Sequence, residues 1–327
     1  MKKKVKLNHD VVTFALVVLL YAVVAFLLYS GSLTRQIANM LIPISVYIVL
    51  AVSLNLVVGL LGELSLGHGG FLSVGLFSGC LVAIALSATS LPLFVRLPLS
   101  MIVGGLVAMV FGFIVGLPAL RLKGDYLAIV TLACGEIIKN IITNLDITGG
   151  ALGLNTGAIY SNAKTLLPYA AVLVLLTVLV MMNLKRSKHG RAIMAIRDNR
   201  IAAQAIGLNL TKYKLMAFVT SAALAGAAGA LFGLNYSSLQ ATKFNFNLSI
   251  LVLVFVVLGG LGNIWGSLVA AAALTILPEA LRPLHDYRML IYAIVLIFVM
   301  LATNNPQAKA FFQRLLPHHR ASAEKED

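Results

Sequence analysis

The stretch Ile37-Ala38-Asn39-Met40-Leu41-Ile42-Pro43-Ile44-Ser45-Val46-Tyr47-Ile48-Val49-Leu50-Ala51-Val52-Ser53-Leu54-Asn55-Leu56-Val57-Val58-Gly59-Leu60 holds no charged side chain. A helix needs about 20 mostly apolar residues to span the hydrocarbon core of a bilayer, and this stretch is longer than that. Gly62-Glu63-Leu64-Ser65-Leu66-Gly67 then breaks the run, and a second apolar run follows over 69–88. Outward from here the pattern recurs near 11–29, 99–120, 126–143, 166–183, 214–234, 248–262, 266–282 and 288–303. The sequence predicts about ten spans. The range is eight to ten, because 248–282 also reads as a broken or re-entrant pair. The fold class is all-α, a polytopic transmembrane helix bundle.

Composition agrees. The 327 residues are 60% hydrophobic and 11% charged, with a mean hydropathy of +0.96. Soluble domains hold roughly 45–50% apolar and about 25% charged residues, so a soluble globular enzyme, a disordered chain and a coiled coil are excluded. The run 11–29 follows Lys2, Lys3, Lys4 and Lys6. It is long for a signal-peptide core, and no Ala-x-Ala cleavage site follows in Ser30–Thr34. It is read as an uncleaved first span.

The net charge of +14 is explained by its placement. With the N-terminus inside and every span crossing, eighteen basic residues fall on inside segments. Seven fall outside: Arg35, Arg96, Lys139, Lys164, Lys243, Arg282 and Arg288. Basic residues concentrate on the cytoplasmic side, so both termini are expected there, and no nucleic-acid partner is needed. The expected organisation is a cytoplasmic N-terminus over 1–10, a transmembrane domain over 11–303 with a cytoplasmic loop at about 184–213, and a tail over 304–327, disordered at its end. The outer arginines Arg35, Arg96, Arg282 and Arg288 are either solvated charge or contacts for acids on a partner.

Catalytic and metal-binding patterns are missing. No GxxxxGK[ST] phosphate loop, GxGxxG or HExxH occurs, and Cys80 and Cys134 offer no metal spacing. No catalytic residue, metal ligand or resident cofactor is expected. The ionisable residues in or beside spans are Glu63, His68, Asp125, Glu136, Lys139 and Glu279. Such groups usually face a bundle interior or cavity. Glu136 and Lys139, three apart, suit a pair on one helix. Glu63 and His68 flank the break at 64–67 and either line a path or cap helix ends.

Glycine pairs at Gly75/Gly79, Gly112/Gly116, Gly229/Gly233 and Gly262/Gly266 suit close helix packing. Val57-Val58-Gly59-Leu60-Leu61-Gly62 lies 200 residues before Val257-Leu258-Gly259-Gly260-Leu261-Gly262, with four of six positions identical. Broken segments in corresponding places of two halves point to a translocation path; chance in a Gly-, Leu- and Val-rich chain is the other reading. Between Lys185 and Lys214 lie eight basic residues and one acid, Asp198. Positions 193, 196, 201, 205 and 208 follow a helical spacing, and Gly207 suits a helix end. This predicts a short amphipathic helix. It either lies on anionic lipid or docks into a partner's groove.

Five motifs in order carry a family resemblance. They are Gly62-Glu63-Leu64-Ser65-Leu66-Gly67-His68-Gly69-Gly70-Phe71; Leu120-Arg121-Leu122-Lys123-Gly124-Asp125-Tyr126-Leu127-Ala128-Ile129-Val130-Thr131-Leu132; Thr148-Gly149-Gly150 with Gly153-Leu154; Gly190-Arg191-Ala192-Ile193-Met194-Ala195-Ile196-Arg197 through Ala202-Ala203 to Gly207; and Leu258-Gly259-Gly260-Leu261-Gly262-Asn263-Ile264-Trp265-Gly266 with Leu277-Pro278-Glu279. Over about residues 40–285 the chain resembles the permease subunits of bacterial branched-chain amino acid ABC importers, of the LivM type. It departs from that pattern at Glu63, where glutamine is frequent, at Gly69 and Gly70 (alanines), at Asn199 and Arg200 (an acidic residue), and at Asn305-Pro306-Gln307-Ala308-Lys309 (Arg-Pro-Gln-Gly-Leu).

The resemblance implies an inner-membrane importer part. A periplasmic binding protein would deliver substrate, a second permease of LivH type would complete the pore, and two cytoplasmic ATPases would bind the ATP and magnesium. It implies ATPase coupling through Gly190, Arg191, Ala195, Arg197, Asp198, Ala202, Ala203 and Gly207. Candidates for the substrate path are Glu63, Ser65, His68, Thr131, Glu136, Gly259 and Gly262. The solute is expected to be leucine, isoleucine or valine, with urea, amides or aromatic acids as the alternative. An ion-coupled transporter built on Glu63, Asp125 and Glu136 is the rival class.

Overall fold

A computed structural model describes residues 9–32, 34–89, 91–122, 124–282, 287 and 290–297. Helices dominate: α1 (His9–Tyr29), α2 (Arg35–Asn55), α3 (His68–Ser87), α4 (Leu93–Ala119), α5 (Asp125–Asn144), α6 (Ala163–Arg186), α7 (Lys188–Asp198), α8 (Arg200–Ala205), α9 (Leu210–Leu234), α10 (Phe246–Gly259) and α11 (Ile264–Ala280). Their boundaries follow the apolar runs because a backbone in hydrocarbon must satisfy its own hydrogen bonds. Among the described residues six helices are long and apolar enough to cross a membrane: α2 with its π-helical extension, α3, α4, α5, α6 and α9. Ten full spans are therefore not established. At 1.5 Å per residue, the 14 residues of α10 reach about 21 Å, short of the roughly 30 Å core. The expected span at 288–303 is described only as helix over 290–297, and the tail from 304 lies outside the described residues.

Contacts divide the chain after Thr275. In the first unit, α9 packs against α3 and α4, and α2 packs against α6 and α9. Small residues set these contacts. A methyl on Gly75 would strike the Gly226 backbone, and one on Gly104 would strike the Gly75 carbonyl. One on Gly226 would reach Ala108. Without a hydrophobic force between helices in lipid, such close backbone approach supplies the packing energy. Three of the four glycine pairs belong to this α3–α4–α9 contact. The Gly262/Gly266 pair does not: Gly262 lies between α10 and α11 at φ 78°, and Gly266, in the first turn of α11, packs on Gly259 at the end of α10. The unit beginning at Ile276 carries the Glu279–Arg282 ion pair at 2.9 Å.

The structure departs from pure α at one end. Two short strands, β1 (Leu154–Asn155) and β2 (Ser238–Leu239), pair antiparallel with Leu154 opposite Leu239. They are held beside α9 by Thr156 N–H donating to the Ser237 carbonyl (3.0 Å) and Ser161 N–H donating to the Leu234 carbonyl (3.0 Å). The Thr148-Gly149-Gly150 motif builds the turn leading there: Thr148 Oγ1 donates to the Leu145 carbonyl (2.8 Å), and Gly149 and Gly150 take positive φ.

Candidate functional site

The break after the decisive apolar run is where polar residues gather. α2 passes into a π-helical turn, Leu56–Leu61, closed by Glu63 N–H donating to the Val57 carbonyl (3.1 Å) and ended by Gly62 at φ 75°. Turns of this kind occur often at functional sites. Residues 62–67 are not helical, and α3 begins at His68, a buried residue. Its Nε2 lies 3.0 Å from Ser53 Oγ on α2. Ser221 Oγ on α9 donates to the Ser53 carbonyl (2.5 Å). Thr131 Oγ1 on α5 accepts from Leu66 N–H (3.0 Å), and Ser249 Oγ on α10 accepts from Gly69 N–H (2.9 Å). Four helices, α2, α5, α9 and α10, thus converge on the start of α3. Ser65, 1% exposed, has a buried hydroxyl without a hydrogen-bond partner.

Two of the candidate acids, Glu63 and Glu136, are neutralised within the chain. Glu63 pairs with Lys214, which stands at the start of α9 and is 1% exposed. Glu136 pairs with Lys139, as their spacing implies, and its Oε1 also accepts from Phe246 N–H (2.8 Å), capping α10. Asp125 opens α5. Glu63, Ser65, His68 and Thr131 therefore cluster around the break, and Glu136 sits farther along α5 at the foot of α10. Gly259 is the last residue of α10 and packs on Gly266, whereas Gly262, in the turn that follows, lies against Gly59. Of the outer arginines, Arg282 pairs with Glu279, Arg96 has a buried Nε without a partner, and Arg288 lies outside the described residues.

The basic segment forms two helices, not one. Asn199 adopts an extended backbone (φ −152°, ψ 101°) and its Oδ1 accepts from Ala202 N–H (3.0 Å), so α7 ends and α8 starts anew. Asparagine favours this cap because its carbonyl satisfies a first-turn N–H. Gly190, Ala192, Ile193 and Ile196 are buried. In α8, beyond the break, Ala203 alone is buried, and Ile201 and Ile206 are 82% and 76% exposed. Ser187 Oγ accepts from Gly190 N–H (3.0 Å), and Arg191 Nη1 donates to the Arg186 carbonyl (3.1 Å). Arg197 pairs with Asp198. Ala195 is half-buried and Ala202 is exposed. Gly207 ends the unit at φ 83°, with Leu208 N–H donating to the Ala203 carbonyl (3.1 Å).

Sequence reading missed Asn55, Ser53 and Lys214. Asn55 is fully buried; it accepts from Gly262 N–H (2.8 Å) and donates to the Asn263 carbonyl (3.1 Å) and Ser267 Oγ (2.8 Å). The available signal was an amide in an otherwise apolar run, immediately before the first echo segment.

The family model for the branched-chain amino acid transport system permease component matches residues 36–300. The chain is 36% identical to the high-affinity branched-chain amino acid transport system permease protein LivM of Salmonella typhimurium over 287 residues, covering 78% of this chain and 66% of that protein. LivM of Escherichia coli K12 is 35% identical over the same shares. LivH of Escherichia coli K12 is 24% identical over 79% of this chain and 89% of its own length. The chain spans about two thirds of the length of the LivM relatives. No solved structure matches. The interrupted apolar helices, the two-helix basic unit and this match together make the chain an integral membrane protein that belongs to the family of branched-chain amino acid transport permease components.

Proposed function

We propose that the chain is the membrane-spanning permease subunit of an ATP-driven importer of leucine, isoleucine and valine in the bacterial inner membrane. The observation that carries the reading is the α7–α8 unit. It is anchored on one face by Ile193 and Ile196 and offers Ile201 and Ile206 outward among basic residues. An apolar pair on a short helix suits a groove on a soluble partner. The chain has no phosphate loop of its own, so that partner is an ATPase, two of which bind the ATP and magnesium. Gly190, Arg191, Ala195, Arg197, Asp198, Ala202, Ala203 and Gly207 shape and present this unit, on the cytoplasmic side with both termini.

A LivH-type sister permease is the second partner. α5 supports this: Tyr126, Ile129, Ala133, Ile137, Asn140 and Asn144 form an exposed stripe at helical spacing, and its outer polar residues suit a protein or water-lined surface better than lipid. The solute would pass the break near Ser65, His68 and Thr131, delivered by a periplasmic binding protein. The pairing of Glu63 and Glu136 with lysines argues against ion coupling, which needs carboxylates free to exchange a cation.

Co-purification of the tagged chain from its native membrane tests this. Two ATPases and a sister permease are expected to accompany it, and the reconstituted complex with its binding protein is expected to accumulate leucine on ATP. Accumulation of urea, an amide or an aromatic acid instead would replace the solute. A chain that purifies alone and moves solute under an ion gradient would overturn the proposal.

A further inference from the structure

The two echo segments meet. A methyl on Gly59 would strike Gly262, and Asn55 bonds the Gly262 amide, the Asn263 carbonyl and Ser267 across the two halves of the chain. The first segment ends its helix on left-handed Gly62 (φ 75°); the second ends α10 at Gly259, is capped by Gly260 (φ 92°) and turns through Gly262 (φ 78°) before α11. A helix end leaves carbonyls without intrahelical partners and carries partial negative charge. At the first break a cation from the basic segment meets that need, and a second cation reaches the turn after α10. Arg197 Nη1 donates to the Gly59 carbonyl (3.1 Å), and Lys185 Nζ reaches the Gly262 carbonyl (3.3 Å).

Arg197 is also fixed at both ends. Its Nε and Nη2 hold Asp198 Oδ1 at 3.0 and 2.8 Å, and its aliphatic stem lies over Gly62, where an added methyl would approach Arg197 Cγ to 2.6 Å. α7 is rooted by buried Ile193 and Ile196, so it moves as a body. Residues 62–67 are not helical; Glu63 ties them to Lys214 and Leu66 N–H ties them to Thr131, while the buried Ser65 hydroxyl is unpartnered. A displaced α7 therefore reaches this break directly through the guanidinium.

We propose that Arg197 is the positioning residue through which movement of the α7–α8 unit reaches the paired breaks at 59–67 and 259–262, with Asn55 joining the two. This rests on the permease reading above. Arg197 acts by pulling on the Gly59 carbonyl, and it need not touch the solute.

The test uses the complete complex in liposomes, with uptake and ATP hydrolysis measured together. Arg197→Met is expected to keep both ATPases bound and to lower uptake per ATP hydrolysed about tenfold, within the usual range of coupling between sites. Arg197→Lys, whose amine still reaches a carbonyl, is expected to recover most of that ratio. Gly62→Ala, which pushes the Arg197 stem aside with the arginine intact, is expected to lower it as well. An unchanged ratio in Arg197→Met or in Gly62→Ala overturns the inference. Loss of the ATPases from the Arg197→Met complex also overturns it, by making Arg197 a docking contact. A wild-type complex that holds no ATPase overturns the permease reading instead, and is seen before any variant is compared.

Discussion

Lys214 shows how one residue's setting differs from its composition class. By count it belongs to the basic segment, yet it is buried and its ammonium pairs with Glu63 beside the helix break. Removing one partner of a buried pair leaves an uncompensated charge, costing about 3–5 kcal/mol, whereas replacing both with apolar groups is often neutral. Glu63→Met is therefore expected to lower the melting temperature of the detergent-purified protein, and Glu63→Met with Lys214→Met to restore most of it. Equal melting of the two variants would show that the pair carries no such energy. Glu63 was legible in the sequence as an acid at a break. Its partner was not, because their separation of 151 positions is closed only by the packing of α9 against α2 and α3.

At the scale of elements, the long apolar runs were readable because hydrocarbon leaves the backbone little choice but helix. The basic segment was readable in part. Its apolar spacing at 193, 196, 201, 205 and 208 suited one helix, but the cap at Asn199 divides it and turns Ile201 away from the face that holds Ile193 and Ile196. The break had a visible signal, asparagine being a strong cap, and periodicity alone outweighed it. The division separates two effects of mutation. Ile206→Asp changes an exposed side chain and is expected to leave the purified chain's melting unchanged while releasing the ATPases from the complex. Ile193→Asp places a carboxylate in a fully buried site and is expected to unfold the chain, since an unpaired charge there is far costlier than a lost contact. Pull-down of ATPase alongside a melting curve checks both. Release without destabilisation by Ile206→Asp ties docking to α8.

For the whole molecule, the contacts sort the connecting segments into two groups. One contains Gly59–Glu63, the α7–α8 unit, Lys214 and Gly262, all joined by direct contacts. The other contains Tyr29, whose hydroxyl donates to the Lys164 carbonyl (3.1 Å), with Ser161, Leu234 and the β1–β2 pair. In the orientation proposed above, with the basic residues inside, the first group faces the cytoplasm. Labelling with a membrane-impermeant maleimide tests this in a background where Cys80 and Cys134 are alanine. A cysteine replacing exposed Ile206 or Leu261 is expected to stay unlabelled in intact cells and to react in inverted vesicles. One replacing exposed Leu152, beside β1, is expected to do the opposite. Because the two groups are tied internally by hydrogen bonds, all three positions must report together. Reversal at all of them would invert the protein and place the α7–α8 unit where no ATPase can reach it. Reversal at Leu261 alone would instead break the Asn55–Gly262 junction on which the paired helix ends depend.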